Sequence, residues 1–326
     1  MKNNHTIIVD TLGSDKGPLE IIEGAKLLLE NFSDLHIVLV GDEELIKKSN
    51  ISLERVKIID SKGTISNYDN PVEAFYKNKD VSIFKAFQEA SENENAIGII
   101  SSGNSGALIV STIKYLLKDR TIRPCMAAIL PTTTNAFTCL VDTGATIDCV
   151  PSQLISFAHL GSEFMKLVYK IDRPRVGLLS NGAEETKGNK LVKETHKLLK
   201  EDAEINFVGN IEGNKTLSGL CDVLVCDGFA GNQVLKNSEG MAINLITEIV
   251  KFSKKNNDPN AMAIVKYLMQ TYDFESLGAG IILGAKLPIM KCRGSSGRNA
   301  ILNAGRIIYN IANNKTIYEG RDKRSE

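Results

Sequence analysis

The chain has 326 residues, 43% hydrophobic and 24% charged, with 39 Lys+Arg against 39 Asp+Glu. This composition excludes disordered and fibrous classes, and the charge balance argues against a nucleic-acid binder, which carries a basic excess. Cys125, Cys139, Cys149, Cys221, Cys226 and Cys292 form no CxxC pair, so neither a zinc site nor a disulfide framework is expected and buried, reduced thiols are the default. With no signal-peptide core at the start and no apolar run near ~18 residues, a cytoplasmic protein is expected.

Val- and Ile-rich runs predict strands at 6–10, 36–40, 56–60, 96–101, 125–130, 137–142, 175–180, 205–210 and 221–226. Several are continuously apolar, as parallel strands covered on both faces are. Amphipathic stretches at 18–31 (opening with Pro18), 81–94, 104–118, 152–170, 187–201 and 232–252 predict helices between them. The alternation predicts an α/β protein with a doubly wound, mostly parallel sheet in three layers. The runs 125–130 and 137–142, joined through TTTN, predict an antiparallel hairpin and a subdomain break near 120–140 within a single domain spanning 1–326. Residues 241–272 read as a projecting helical hairpin around the polar hinge SKKNNDPN, its apolar surface suited to core, dimer interface, or a membrane or partner.

The loops that leave the strands carry the chemistry. DTLGSDKGP, SGNSGA, DTGATID, SNGAEETKGN, IEGN, DGFAGN and KCRGSSGR are all rich in Gly, Asn and Ser. In a parallel sheet such loops emerge at the carboxyl ends, where these folds bind ligands. Small residues let backbone approach an anion, and helix N-termini offer free N–H groups. Neither GxGxxG after the first strand nor GxxxxGK[ST] is present, so dinucleotide and P-loop sites are not expected. Lys16, Lys187, Lys236, Lys291 and Arg293 are the loop cations, with Arg123 nearby. None of His5, His36, His159 and His196 falls in a loop, and no GxSxG elbow exists, so nucleophilic catalysis gets no support. The loop carboxylates Asp10, Asp15, Asp142, Asp148, Glu184, Glu185 and Asp227 suit capping, base or metal roles, with capping the commonest.

Taken in order, these motifs resemble the PlsX family, the phosphate acyltransferases of bacterial phospholipid synthesis. IIVDTLGSDKGP resembles the family's DAMGGDxxP loop, KNKDVSIFKA its KKDSSM segment, and SSGNSGALIVSTI its AGNTGA. DTGATIDCVPSQLISFAHLGS is similar to D-GAN-DCKPEHL-QFA-MGS; RPRVGLLSNGAEETKGN, INFVGNIEGN and CDVLVCDGFAGNQVLKNSEG are closer still, and GSSG falls where the family has KGHGSS. Ser14 replaces a second Gly, Thr146 the Asn of GAN, Arg293 the His before GSS, and the 241–272 hairpin is shorter with a more polar tip.

The resemblance implies an isocitrate/isopropylmalate dehydrogenase-like fold and conversion of acyl-carrier-protein thioester plus inorganic phosphate into acyl phosphate. No cofactor or metal is implied. The implied partners are the carrier protein, a second copy of the chain as homodimer, a downstream membrane acyltransferase, and a membrane surface touched peripherally through 241–272. Asn104, Ser105 and Gly106 with Ser295 and Ser296 are the expected phosphate cradle, joined by Asp10, Gly13, Gly103 and Gly228. Lys187 and Asn232 are the expected catalytic pair, with Asn181 and Asn210 lining the cleft. Lys190, Lys193, Lys197 and Lys200, opposite Leu191, Leu198 and Leu199, form a candidate docking face for an acidic carrier protein. A coenzyme A-dependent phosphotransacylase, a dehydrogenase on the same scaffold, and a non-catalytic interaction protein are the competing readings.

Overall fold

A computed structural model describes residues 5–66, 68–78, 80–272 and 280–313. The chain begins with β1 (His5–Asp10), α1 (Pro18–Asn31), β2 (Leu35–Gly41), α2 (Glu43–Lys48) and β3 (Val56–Asp60). There follow α3 (Pro71–Lys77), α4 (Ser82–Glu92), β4 (Ala96–Ser101) and α5 (Ser105–Ser111), the last continuing into a π-helical turn over Thr112–Leu116. Next come β5 (Cys125–Pro131), β6 (Phe137–Val141), α6 (Pro151–Tyr169), β7 (Arg175–Ser180), α7 (Lys190–Glu201), β8 (Asn206–Glu212) and β9 (Val223–Val225). The long α8 (Gly228–Asn256), α9 (Pro259–Thr271), β10 (Gly280–Leu283), β11 (Ile289–Lys291) and α10 (Arg298–Ala312) complete the order.

These residues form two compact units, one from 5–126, 167–170 and 280–313, the other from 127–166 and 171–272. In the first, β3, β2, β1, β4 and β11 run parallel in that order, and β10 pairs antiparallel with β11. Helices cover both faces. Gly98 lies under Ile308 of α10, where a Cβ would sit 2.6 Å from its Cγ2. Ser101, three residues on and therefore on the other face, meets Asp10, which in turn meets Ser82 of α4. Gly24 of α1 lets Ile301 of α10 approach so closely that a Cβ would lie 2.5 Å from it.

In the second unit β6, β9, β7 and β8 are parallel, and β5 pairs antiparallel with β6 as the TTTN hairpin predicted. Val223 packs on Gly161 of α6, while its neighbour Leu224 turns to the other face and joins Leu130, Leu140, Ile211 and Cys226 under Val234 and Leu235 of α8. Side-chain caps start the helices: Asp42 for α2, Asn70 for α3, Asn189 for α7, Asp227 for α8 and Asp258 for α9 each accept a backbone N–H of the first turn.

The structure differs from the sequence reading at several places. α2, α3, α10, β10 and β11 were not expected. α7 begins at Lys190, not 187, because Asn189 caps it. α8 begins at Gly228, not 232, because Asp227 caps it, and it runs to Asn256, so the turn narrows to Asn257 (φ 49°) and Asp258. Leu198 is 44% exposed and belongs with the lysines, whereas Leu199 is fully buried. Ile246, Ile249 and Val250 are partly buried while Ala261 and Val265 are buried; Met241, Ile243, Leu245, Phe252, Met262, Ile264, Tyr267 and Met269 are exposed. Among the described residues, no helix is long and apolar enough to cross a membrane.

Candidate functional site

In the first unit the loops leaving β1, β4 and β11 lie together, because those strands are parallel neighbours. Asp10 is buried at the end of β1, where Ser101 Oγ donates to it at 2.7 Å and the Leu12 N–H at 3.2 Å. Burial pushes its carboxyl from the ordinary 3.8 up to about 6, against the pull of its hydrogen bonds and of Lys291. Lys291 donates to the carbonyls of Ser102 and Cys292, and burial lowers its ammonium. Gly13 (φ 82°) lies against Gly103, where a Cβ would meet the Gly103 Cα at 2.7 Å, so both loops need glycine for that approach. Asn104 Oδ1 accepts the Ala107 N–H at 3.0 Å and Nδ2 donates to the Ser66 carbonyl at 3.2 Å; Ser105 and Gly106 form the first turn behind it, with Pro71 against Gly106. Ser296 is buried and its Oγ accepts the Arg293 N–H at 3.0 Å, closing the turn that carries Ser295. Ser14 Oγ donates to the Gly294 carbonyl at 3.2 Å and binds the first loop to the last.

The raised Asp10 value has a stability consequence. Between about 3.8 and about 6 the unfolded chain releases a proton that the folded chain still holds, so stability falls as pH rises through that window and levels off above it. Asp10→Asn, which removes the titration, is expected to flatten that slope in unfolding midpoints measured across the window; an unchanged slope would assign it to another group.

In the second unit the loop after β6 is organised by Asp142, fully buried, whose carboxylate accepts the N–H groups of Gly144 (3.2 Å), Ala145 (3.1 Å) and Thr146 (2.6 Å). The Val141–Asp142 peptide is cis. The start of α8 presses on this loop. A Cβ at Gly228 would lie 2.6 Å from the Thr146 carbonyl oxygen, and one at Gly231 only 1.9 Å from that of Asp142. Asn232 Nδ2 donates to the Thr143 carbonyl at 3.1 Å, and the Gly228 N–H to that of Thr146 at 2.8 Å. The loop after β7 is closed by Asn181, whose Oδ1 accepts the Gly188 N–H at 2.8 Å. Asn210 Nδ2 donates to the Glu184 carbonyl at 2.9 Å, and its Oδ1 faces His196 Nδ1 at 2.9 Å. Lys187 is exposed; its Cγ lies against Gly182, and its ammonium has no ion pair or hydrogen bond among the described residues. On α7, Lys190, Lys193, Lys197 and Lys200 are all exposed; Lys200 pairs with Glu185 at 2.7 Å and Lys190 lies 3.9 Å from Glu194.

In the first unit the loops after β1, β4 and β11, which carry Asp10, Gly13, Gly103, Asn104, Ser105, Gly106, Ser295 and Ser296, meet through Gly13 on Gly103 and Ser14 on Gly294. In the second, Asn181, Lys187 and Asn210, the last within β8, share one loop network through Gly188 and Glu184, while Gly228 and Asn232 of α8 sit on the Asp142 loop; among the described residues no hydrogen bond joins Lys187 to Asn232. Asn104, Asn181 and Asn232 hold backbone as well as lining loops. Sequence reasoning missed His196 as the partner of Asn210, since a lone His in a helical pattern reads as packing. Asp142, expected among the loop carboxylates to cap backbone N–H groups, does so for Gly144, Ala145 and Thr146.

A family model described as fatty acid synthesis protein matches residues 5–318. The chain belongs to the PlsX family. A phosphate acyltransferase of Bacillus pumilus is 39% identical over 304 residues, covering 91% of each chain, and one of Thermoanaerobacter pseudethanolicus is 36% identical over 318 residues, covering 95% of each. PlsX membership makes the chain an acyltransferase enzyme. Among solved structures, a phosphotransacetylase from Streptococcus pyogenes superposes with TM-score 0.64 at 16% identity over 94% of each chain. A 4-hydroxythreonine-4-phosphate dehydrogenase from Klebsiella pneumoniae superposes with TM-score 0.55 at 12% identity, over 94% of this chain and 99% of its own. Both share the fold. Of the motif departures, Ser14 uses its side chain to tie two loops, whereas the bonds of Thr146 to Asp142 and of Arg293 to Ser296 run through backbone N–H groups that the Asn and His of the family motif would supply equally.

Proposed function

We propose that the chain transfers an acyl group from an acyl-carrier-protein thioester to inorganic phosphate, for phospholipid synthesis. A phosphate oxygen attacks the thioester carbonyl carbon, the C–S bond breaks, and the proton given up by hydrogen phosphate passes to the leaving thiolate, leaving acyl phosphate and free carrier. The observation that carries this reading is Lys187: a cation on a strand-end loop, its stem packed on Gly182 and its ammonium uncommitted. There it can meet phosphate or the tetrahedral oxyanion without first breaking an ion pair. Asn181 and Asn210 shape the loop that carries it, and Gly228 and Asn232 shape the loop after β6. Asn104, Ser105, Gly106, Ser295 and Ser296, with Asp10, Gly13 and Gly103 shaping their loops, form a second set of small and amide residues suited to an anion.

The chemistry needs no enzyme nucleophile. Phosphate dianion already attacks thioesters when held beside them, and a thiolate leaves with little help. The buried thiols agree: burial pushes Cys139, Cys221 and Cys292 up to about 12 and Cys226 well above its ordinary value, so none supplies thiolate near neutral pH.

The exposed lysines of α7 suit an acidic carrier protein, and the exposed apolar residues of the α8–α9 hairpin fit the homodimer and the peripheral membrane contact that the family resemblance implies. Thiol release from acylated carrier protein tests the reading: it is expected to require phosphate. Lys193→Glu with Lys197→Glu is expected to raise KM for the carrier about tenfold at low salt, an effect that fades as salt rises. Thiol release without phosphate would overturn the reading; an unchanged KM would remove α7 from docking.

A further inference from the structure

The turn that carries Lys187 is held from inside its unit by a residue that no strand-end loop contains. The Glu184 carbonyl accepts two hydrogen bonds, from the Lys187 N–H at 3.0 Å and from Asn210 Nδ2 at 2.9 Å. The first makes Glu184–Lys187 a closed turn; the second anchors that turn to the end of β8. Because a carbonyl can only accept, the Asn210 amide must present its NH₂ to Glu184 and its Oδ1 to the opposite side, where His196 Nδ1 lies 2.9 Å away. An acceptor facing Nδ1 fixes the imidazole: Nδ1 carries a proton, whatever the state of Nε2.

His196 is itself immobilised. It is 4% exposed on the inner side of α7, its ring meets Phe207 edge-on at 4.9 Å and 78°, and Nε2 looks toward Glu185 Oε1 at 3.8 Å, a carboxylate already paired with Lys200. The chain of contacts therefore runs from a packed ring, through an amide with one permitted orientation, to the carbonyl that closes the Lys187 turn.

We propose that His196 is a positioning residue for Lys187, acting only through Asn210 and Glu184. This rests on the reading of Lys187 as the cation that meets phosphate or the oxyanion. Without the Nδ1–H, the buried Asn210 Oδ1 loses its donor and the amide keeps only its bond to Glu184; held at one end instead of two, it no longer fixes where the Glu184 carbonyl and its turn sit. A cation displaced by about 1 Å from a reacting group can lose up to about a hundredfold in rate, so a partial displacement of about tenfold is the expected scale.

The test compares His196→Leu, which fills the space without the donor, with His196→Asn, which restores an amide N–H near the Nδ1 position, each alone and with Lys187→Ala, in phosphate-dependent thiol release by the full chain. His196→Leu is expected to lower kcat about tenfold with KM for acyl-carrier protein unchanged, and His196→Asn to recover most of that loss. Since His196 acts through Lys187, adding His196→Leu to Lys187→Ala should cost nothing further. Undiminished kcat in His196→Leu beside an impaired Lys187→Ala overturns this proposal alone, as do multiplying losses in the double variant or failure of the Asn variant to recover. Full activity in Lys187→Ala overturns the reading of Lys187 and this proposal with it. If circular dichroism shows His196→Leu unfolded, Asn210→Asp, which keeps the acceptor for His196 and removes the donor to Glu184, takes its place with the same expectations.

Discussion

Lys187→Ala is expected to lower turnover about a hundredfold and leave the unfolding midpoint unchanged. The first half follows from charge. Phosphate and the tetrahedral intermediate both concentrate negative charge, and removing one preorganised partner of such charge costs about 10²- to 10³-fold in kcat. The second half follows from what Lys187 does not do in the fold. It is exposed and, among the described residues, makes no ion pair; its structural contacts there are its backbone N–H to Glu184, which alanine keeps, and a Cγ contact with Gly182. Loss of kcat with an unchanged melting curve, measured by thiol release and by calorimetry, is the signature. A variant with full turnover would remove Lys187 from the mechanism.

Gly231→Ala is expected to destabilise the chain by about 2–3 kcal/mol and to abolish most activity. The added Cβ would stand 1.9 Å from the Asp142 carbonyl oxygen and 2.8 Å from Cys226 Sγ. That loop cannot yield easily, because the Asp142 carboxylate clamps three successive backbone N–H groups. The helix must move instead, taking with it the Gly228 and Asn232 hydrogen bonds to Thr146 and Thr143. Gly240→Ala on the same helix is the control. A Cβ there meets nothing within 4 Å, so this variant should be neutral or more stable by up to about 1 kcal/mol, as helix propensity dictates. Equal behaviour of the two variants in chemical denaturation would show that α8 does not press on the Asp142 loop as described.

Much of this was legible in the sequence because the strands of a parallel sheet declare themselves as continuous apolar runs. The antiparallel hairpin of β5 and β6 was legible from a polar TTTN between two such runs. β10 and β11 were not, since strands of four and three residues fall below any periodic signal. α10 is a different case: Ile301, Ala304, Gly305 and Ile308 follow the i, i+3, i+4, i+7 spacing of a buried face and could have been read. The helix starts were displaced by caps. Asn189 and Asp227 looked like loop residues, and are, but each begins its helix immediately afterwards, which leaves Lys187 in a loop and places Gly228 at the first turn of α8. Among site residues, the strand-end positions were readable from loop composition and motif order. His196 was not, because its role depends on Asn210, fourteen residues away on another element, and no local pattern records such a contact.

The central claim is that phosphate, not an enzyme side chain or water, takes the acyl group from a carrier-protein thioester. The most direct measurement is acyl-phosphate formation from palmitoyl-carrier protein and inorganic phosphate, trapped as the hydroxamate with hydroxylamine, beside the same assay with palmitoyl-coenzyme A. The expected result is hydroxamate that depends on phosphate and forms faster from the carrier-protein donor. Product from coenzyme A alone would contradict the carrier-protein reading, and no phosphate-dependent product from either donor would contradict the proposed reaction itself.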